Sequence, residues 1–165
     1  MQIKADEISE LIRQKLLKFI DIYSLNEDEF QEYLGRKAEL LDPEKMLEDL
    51  AAVYSLIPVS ALIVHTRFWA LAYGENAESY QKALKGGITM AGTRFRFGDS
   101  FTILDYQDTE TVKLQEQGVK FSTAINKLSH GKVCCLGCIE AEESSATTIG
   151  LGDAFVGGFL PALVS

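Results

Sequence analysis

Thr147-Thr148-Ile149-Gly150-Leu151-Gly152-Asp153-Ala154 is a glycine-punctuated turn that leads into an apolar, helix-like segment near the end of the chain. Two glycines separated by one residue let the backbone turn tightly and approach a ligand where any Cβ would collide. A helix that begins here points unsatisfied N–H groups and a partial positive charge outward. The pattern therefore predicts an anion hole on Gly150, Leu151 and Gly152, of the kind that holds a phosphoryl group.

Asp153 follows in the first turn of this predicted helix. A carboxylate there can accept the proton of a hydroxyl that attacks the terminal phosphoryl group of a nucleotide. Phosphoryl transfer requires little more of a protein than an aligned nucleophile, a base and positive groups around the spreading charge. The same short pattern also fits a capped helix packed closely against a neighbour, with Gly157-Gly158 in a similar role. Both interpretations stay open at this point.

Upstream of the turn, apolar periodicity predicts alternating helices and strands. Helices are predicted at 7–17, at 27–34 after the cap Asn26, at 43–57 after Asp42-Pro43, at 77–84 after the cap Asn76, and at 110–128. Strands are predicted at 19–23, 61–65, 69–73, 88–97 and 132–139, and 140–146 is predicted to be a loop. The alternation indicates one α/β unit with helices on the faces of a sheet. Ligands of such sheets bind where strands end, which selects the turns 24–29, 65–68, 97–101 and 146–153.

Composition narrows the function further. The chain has 165 residues and a net charge of −8, which disfavours a nucleic-acid partner but leaves room for one locally held phosphate. No apolar stretch approaches the roughly 20 residues that span a bilayer, and the first residues lack the apolar core of a secretory signal. A cytoplasmic protein with no membrane partner is expected. Cys134, Cys135 and Cys138 are predicted to be small hydrophobic residues of a buried strand rather than a metal or redox site.

Thr148 to Phe159, read as Thr148-Ile149-Gly150-Leu151-Gly152-Asp153-Ala154-Phe155-Val156-Gly157-Gly158-Phe159, resembles the C-terminal signature of ADP-dependent phosphofructokinases and glucokinases. These enzymes belong to the ribokinase-like superfamily. Four upstream blocks resemble the same family in the same order: 25–29, 64–71, 74–78 and 93–99. The resemblance implies the C-terminal portion of the large domain of a ribokinase-like, three-layer α/β/α fold over residues 19–165.

Residues 1–18 do not resemble this family, and are predicted to form a separate N-terminal helix weakly similar to that of the F-type ATP synthase α subunit. The family's N-terminal half of the sheet, its lid domain and its HxE motif find no match in the chain. Because those parts carry most of the sugar site, sugar-binding residues cannot be assigned. We also expect that an unpaired sheet edge promotes self-association.

The resemblance also implies residue roles. Asp153 corresponds to the family's catalytic base, and Gly150, Leu151 and Gly152 correspond to its anion hole. The family's NxxE motif, associated with the Mg²⁺-bound phosphates, matches Asn26 and Glu29, which would contact the metal directly or indirectly. Asn26 and Glu29 also fit an ordinary helix cap with an acid at the third position.

Further nucleotide-binding residues are expected near the ends of the predicted strands. His65 and Thr66 end a buried strand and either face the nucleotide or form part of the core. Arg94 and Arg96 are the nearest cations; they either meet phosphate or pair with Glu75 or Asp99. Thr147 and Thr148 either donate hydroxyl hydrogen bonds to the phosphate or determine the conformation of the loop. Thr148 is the candidate for binding the nucleotide.

The implied activity is a glycolytic one: transfer of the β-phosphoryl group of ADP to a hydroxyl of a sugar or sugar phosphate, leaving AMP. Phe155-Val156-Gly157-Gly158-Phe159 looks more like the phosphofructokinase branch, although glucose and fructose 6-phosphate both stay open as acceptors. The choice of ADP rests on the resemblance alone. Two alternatives are a catalytically incomplete nucleotide-binding fragment and an ATP-dependent ribokinase-like kinase. Without the lid, the 165-residue chain is expected to be poorly active or inactive.

Overall fold

The computed structural model describes residues 10–11, 14–140 and 149–164. Four strands, β1 to β4, form one sheet: Ile22–Asn26, Ala61–His65, Trp69–Gly74 and Val133–Gly137. Six helices, α1 to α6, are described with it: Glu27–Leu34, Pro43–Leu56, Gln81–Phe97, Ile103–Thr109, Glu116–Leu128 and Leu151–Leu163. Short 3₁₀ turns occupy Leu17–Phe19, Ala77–Tyr80 and Gly98–Ser100. No helix among the described residues is both long enough and apolar enough to cross a membrane.

The strands lie in the order β1-β2-β3-β4, with β1 parallel to β2 and the other two pairs antiparallel. Neighbouring side chains on a strand point to opposite faces, so each strand supplies two cores. Leu62, Val64 and Leu71 face one core, where they pack with residues of α1, α2 and α5. Ile63 and Ala72 face the other, which α3 and α6 cover. The chain is therefore a three-layer α/β/α structure, which confirms the predicted fold class.

Two predicted helix starts are confirmed, because each is fixed by a local hydrogen bond that the sequence reveals. Asn26 Oδ1 accepts from the Glu29 amide at 2.9 Å, and Glu29 Oε2 accepts from the Asn26 amide at 2.8 Å, which is a complete capping box for α1. Asp42 caps α2 through the amides of Glu44 and Lys45. Gly35 ends α1 with a left-handed φ of 68°.

The helix predicted at 77–84 and the strand predicted at 88–97 are wrong, because residues 81–97 form the single helix α3. The predicted helix end at Gly86-Gly87 lies inside this helix. A Cβ on Gly86 would lie 2.6 Å from the Gly158 carbonyl oxygen of α6, and one on Gly87 would lie 2.7 Å from the Phe155 ring. The two glycines therefore serve close helix packing. Asn76 makes no side-chain cap and adopts a left-handed φ of 57° before the 3₁₀ turn.

The single helix predicted at 110–128 is also wrong at its start. α4 ends at Thr109, and α5 begins at Glu116 after a segment in which Leu114 bridges to Ile139. Gly118 is needed in the first turn of α5, since a Cβ there would lie 2.1 Å from the Phe68 carbonyl oxygen.

Two further predictions differ from the structure, and three fall wholly or partly outside the described residues. The first strand occupies residues 22–26 rather than 19–23, and the turn predicted at 97–101 follows a helix rather than a strand. Residues 10, 11, 14 and 15 are helical. The rest of the predicted helix up to residue 13, the predicted loop beyond Glu140, and both Thr147 and Thr148 lie outside the described residues.

The contact between α3 and α6 gives a stability prediction with a matched control. A Cβ on Gly158 would lie 2.3 Å from the Gly86 carbonyl oxygen, whereas one on exposed Gly157 would meet no described residue within 4 Å. We expect Gly158→Ala to lower the free energy of unfolding by about 1–3 kcal/mol through overpacking. Gly157→Ala should raise it by up to about 1 kcal/mol through helix propensity. Urea unfolding of both variants tests this, and equal effects would contradict the packing.

Candidate functional site

A cavity of about 460 Å³ opens where β1 and β2 end, and we call it the strand-end cavity. Asn26 and His65, the last residues of the two parallel strands, lie on its wall. Helix α3 supplies an apolar side that includes Ile88 and Phe95. The first turn of α6 supplies another side. The volume lies within the range of small-molecule sites, and the carboxyl ends of strands are where α/β sheets bind ligands.

The glycine turn forms the start of α6, next to this cavity. Gly150 adopts a left-handed φ of 76° and has no side-chain cap, and its carbonyl accepts from the Ala154 amide at 3.0 Å. Leu151 and Gly152 line the cavity. The first N–H groups of a helix have no intrahelical partner. The start of α6 therefore presents amides and a partial positive charge at the cavity wall.

Asp153 lies in the first turn of α6 and is exposed, but it does not line the cavity. Leu151 and Phe155 are four residues apart and share the cavity face of the helix. At 3.6 residues per turn, Asp153 projects from a side about half a turn away. The cavity and this carboxylate thus lie on different sides of the same helix end.

His65 lines the cavity and stacks on Phe155 of α6, with ring centroids 4.5 Å apart. Burial lowers the pKa of His65 from 6.5 to about 4, because the charged imidazolium loses hydration. The imidazole is therefore neutral at pH 7. A neutral ring can both donate and accept a hydrogen bond, and its Cε1 lies 3.6 Å from the Cβ position of Gly152.

The hydroxyl of Thr66 is used within the protein. It accepts from the amides of Phe68 and Trp69 at 3.1 and 3.2 Å and donates to the Trp69 carbonyl at 3.1 Å. These bonds shape the turn between β2 and β3. Thr66 lines the cavity, but its oxygen is committed to that turn.

The two arginines of α3 have different surroundings. Arg94 pairs with Asp99 at 2.7 Å and donates to the Gly150 carbonyl at 3.3 Å. Arg96 pairs with Asp108 at 2.8 Å and donates to Thr109 Oγ1 at 2.9 Å. Only Arg94 therefore contacts the glycine turn, and neither arginine lines the cavity.

Asn26 and Glu29 form the capping box of α1, and only Asn26 lines the cavity. Within the described residues, no group of three or more histidines, cysteines and acids is arranged to hold a metal ion. A metal that keeps several waters and binds substrate phosphates needs only one or two protein carboxylates. Glu29 uses Oε2 in the cap, and its second carboxylate oxygen suits such a role.

Sequence reasoning missed several residues of the cavity. Arg67 lines it directly after β2, and Gln115 Nε2 bridges the carbonyls of Arg67 and Ile139 at 2.8 and 3.0 Å. Cys138 also lines it; burial raises the pKa of this thiol to about 12, so it is un-ionised. Arg67 was within reach of sequence reasoning, because it lies in a turn selected for its position after a strand. Gln115 was not, because it was assigned to a helix interior.

No family model matches the chain, and a search of the curated proteins found no relative. Solved structures do match. A phosphofructokinase from Pyrococcus horikoshii OT3 with AMP superposes with a TM-score of 0.78 at 20% identity, over 99% of this chain and 41% of that chain. An ADP-dependent kinase complex with fructose-6-phosphate and ADPβS gives 0.75 at 17% identity, over 99% and 43%. A last common ancestor of ADP-dependent phosphofructokinases from Methanosarcinales gives 0.73 at 17% identity, over 99% and 41%.

The chain has the fold of a segment of these ADP-dependent kinases. It spans about two fifths of the length of the solved structures that it matches, 41% for the Pyrococcus phosphofructokinase. At these identities the similarity shows the fold and leaves substrate and activity to be proposed.

Burial of His65 gives a pH prediction. The folded-state pKa of about 4 lies below the ordinary value of 6.5, so between these values the unfolded chain binds more protons. The free energy of unfolding should therefore fall as the pH drops from 6.5 towards 4, by about 1 kcal/mol per pH unit at most. Well above pH 6.5, where the imidazole is neutral in both the folded and the unfolded chain, His65 should contribute no pH dependence.

His65→Phe keeps an aromatic ring against Phe155 but removes the titrating group. Urea unfolding at pH 7, 6 and 5 should show the wild-type chain losing more stability than this variant over that range. Parallel pH profiles would show that His65 is not buried as the structure places it.

Proposed function

We propose that this chain carries the nucleotide-binding and phosphoryl-transfer part of an ADP-dependent sugar kinase. The observation that supports it is the start of α6 at the wall of the strand-end cavity, formed by Gly150, Leu151 and Gly152. A phosphate bound there would meet bare amides and the positive end of the helix dipole. The fold shared with ADP-dependent phosphofructokinases supports the same assignment.

The proposed arrangement assigns the nucleotide to the cavity. Its apolar α3 side, with Ala91 and Phe95, suits a planar base, and His65 can contribute hydrogen bonds as a neutral ring. Among the described residues that line the cavity, Arg67 is the only Lys or Arg. The terminal phosphate of the nucleotide would then lie at the first turn of α6. Thr148 remains a candidate hydroxyl donor to it.

Asp153 would act from the other side of that turn, where the acceptor sugar approaches. Its carboxylate takes the proton of the sugar hydroxyl as that oxygen attacks the β-phosphorus of ADP. The bond from that phosphorus to the bridging oxygen breaks, and AMP leaves with the electron pair. Asp153 is exposed and does not line the cavity, so this role requires the acceptor to bind outside the cavity, beside the first turn of α6.

Mg²⁺ is part of the proposal, with Glu29 and Asn26 at its site, directly or through water. When bound, it would neutralise charge on the phosphates of the nucleotide. Glu29 can supply one carboxylate oxygen without leaving the cap of α1, and Asn26 lies on the cavity wall.

A second candidate is a nucleotide-binding fragment without turnover of its own. The observation that favours it is coverage, because the chain spans only 41% of the Pyrococcus phosphofructokinase that it resembles in fold. Acceptor binding and exclusion of water usually need elements that close over both substrates. An ATP-dependent kinase is the third candidate, because the geometry of the glycine turn does not distinguish a nucleoside diphosphate from a triphosphate.

Calorimetric titration with ADP, ATP and AMP, each with Mg²⁺, tests the proposal and ranks the donors. We expect ADP to bind more tightly than AMP, because its terminal phosphate reaches the α6 amides. Gly152→Ala is the diagnostic variant, since among the described residues its Cβ would meet only His65 Cε1, at an ordinary 3.6 Å. The variant should fold with unchanged or raised stability and bind ADP about tenfold more weakly, because the methyl group occupies the phosphate position. Unchanged ADP affinity would contradict the proposed phosphate position.

Asp153→Asn separates base catalysis from binding. We expect ADP affinity to change less than about twofold, because the side chain lies away from the cavity. Formation of AMP from ADP with glucose or fructose 6-phosphate should be slow in the wild-type chain and absent in the variant. Strong turnover by the 165-residue chain would contradict the expectation of poor activity. Persistence of that turnover in Asp153→Asn would exclude Asp153 as the base.

A further inference from the structure

The side chain of Arg94 covers Gly150. The position that a Gly150 Cβ would occupy lies 2.7, 2.9 and 3.0 Å from Nη1, Cζ and Nη2 of Arg94. Three atoms of the planar guanidinium at such similar distances show that its face, rather than one edge, lies against the Gly150 Cα. Two features thus require glycine at position 150: its φ of 76°, and the close contact with the guanidinium, which leaves no room for a Cβ.

The same guanidinium also contacts the Gly150 carbonyl oxygen. Nη1 donates to it at 3.3 Å, while the Ala154 amide donates to it at 3.0 Å. In a trans peptide the C=O of one residue and the N–H of the next lie in one plane and point in opposite directions. Holding the Gly150 carbonyl therefore fixes the direction of the Leu151 N–H, which belongs to the predicted anion hole.

Electrostatics support a role towards an anion. A cation beside a helix start repels the positive end of the helix dipole, and acids are the residues usually favoured there. Arg94 next to Gly150 is therefore unfavourable for α6 alone, and Asp99 balances its charge at 2.7 Å. An anion at the first turn of α6 would be stabilised by the dipole and by the guanidinium charge that Asp99 leaves unbalanced, against repulsion from Asp153 in the same turn.

We propose that Arg94 is a positioning residue of the glycine turn. Its guanidinium fixes the Gly150–Leu151 peptide so that the Leu151 N–H faces the bound phosphate. The expected effect on ADP affinity rests on the proposed function. The contact between Arg94 and Gly150 can be tested without it, in the ligand-free chain. Arg94 acts through the backbone of α6 and does not line the cavity itself.

Arg96 provides a matched control on the same helix. It also pairs with an exposed aspartate, at 2.8 Å, and its side chain is 27% exposed compared with 25% for Arg94. Its partners, Asp108 and Thr109, lie on α4 rather than at the glycine turn. Loss of Arg96 should therefore remove one ion pair and one hydrogen bond to α4 without disturbing α6.

The first readout is amide hydrogen exchange of Ala154 in the ligand-free chain, measured by NMR. Because the Ala154 N–H bonds to the Gly150 carbonyl, Arg94→Ala should accelerate its exchange about tenfold relative to amides in the middle of α6. Arg96→Ala should leave that ratio unchanged. Equal exchange in the two variants would overturn the inference whether or not the chain binds nucleotide.

The second readout is ADP affinity by calorimetry with Mg²⁺. Arg94→Ala should weaken binding about tenfold, and Arg96→Ala less than about twofold. Arg94→Lys separates geometry from charge, since an ammonium keeps the charge but lacks the planar face. Positioning predicts that the lysine variant resembles the alanine variant in both readouts; a lysine variant that resembles the wild-type chain would overturn it. Failure of the wild-type chain to bind ADP would count against the proposed function, while the Ala154 exchange would still decide the role of Arg94.

Discussion

The close backbone contact between α3 and α6 is the constraint on which the site depends. Gly86 and Gly158 face each other so closely that a Cβ on either would lie within 2.6 Å of the other's carbonyl oxygen. This approach brings Phe155 over Gly87 and against His65 at the end of β2. The first turn of α6 consequently lies beside the ends of the parallel strands. Packing between two helices thus determines where the amides of the glycine turn point.

The charge distribution is compatible with an anionic ligand in spite of the acidic composition. A net charge of −8 describes the whole chain, whereas a ligand responds to the charges and dipoles nearest to it. At the start of α6 these include the first amides of the helix, the helix dipole and the guanidinium of Arg94. His65 adds no charge there at pH 7, because its pKa is about 4. Carboxylates lie nearby as well: Asp99 pairs with Arg94, Asp153 lies in the first turn of α6, and Glu27 and Asp28 line the cavity. An anionic ligand would therefore depend on direct contact with the α6 amides rather than on a positive surrounding charge.

Local hydrogen bonding explains which elements could be predicted from the sequence. Asn26 and Asp42 bond to amides two or three residues away, so the caps of α1 and α2 are visible in a short stretch. β2 was predictable because a run of consecutive apolar residues fits a strand that is buried on both faces. The glycine turn before α6 was predictable for a third local reason, because a φ of 76° strongly favours glycine.

The elements that the sequence did not predict depend on contacts between distant segments. Gly86-Gly87 is compatible with a helix end until the backbone of α6 is known to lie against it. Gly118 likewise packs on the Phe68 carbonyl, which is far away in sequence. In the candidate site, too, local features could be predicted from the sequence and contacts between distant segments could not. The cap formed by Asn26 and Glu29 is local, whereas the choice of Arg94 rather than Arg96 as the partner of Gly150 depends on how α3 packs against α6.

Gly150 takes part both in local backbone conformation and in a contact between distant segments. Its left-handed backbone, the contact with the Arg94 guanidinium and the first hydrogen bond of α6 all involve the same residue. A side chain there would strain the turn and displace the arginine together, and the Leu151 amide would lose its fixed direction. Gly152, two residues further on, is different, because among the described residues a Cβ there would make only an ordinary contact with His65. Packing among the described residues therefore does not require glycine at 152, in contrast to Gly150, Gly86 and Gly158, and the turn combines a glycine needed for the fold with one that leaves space at the cavity wall.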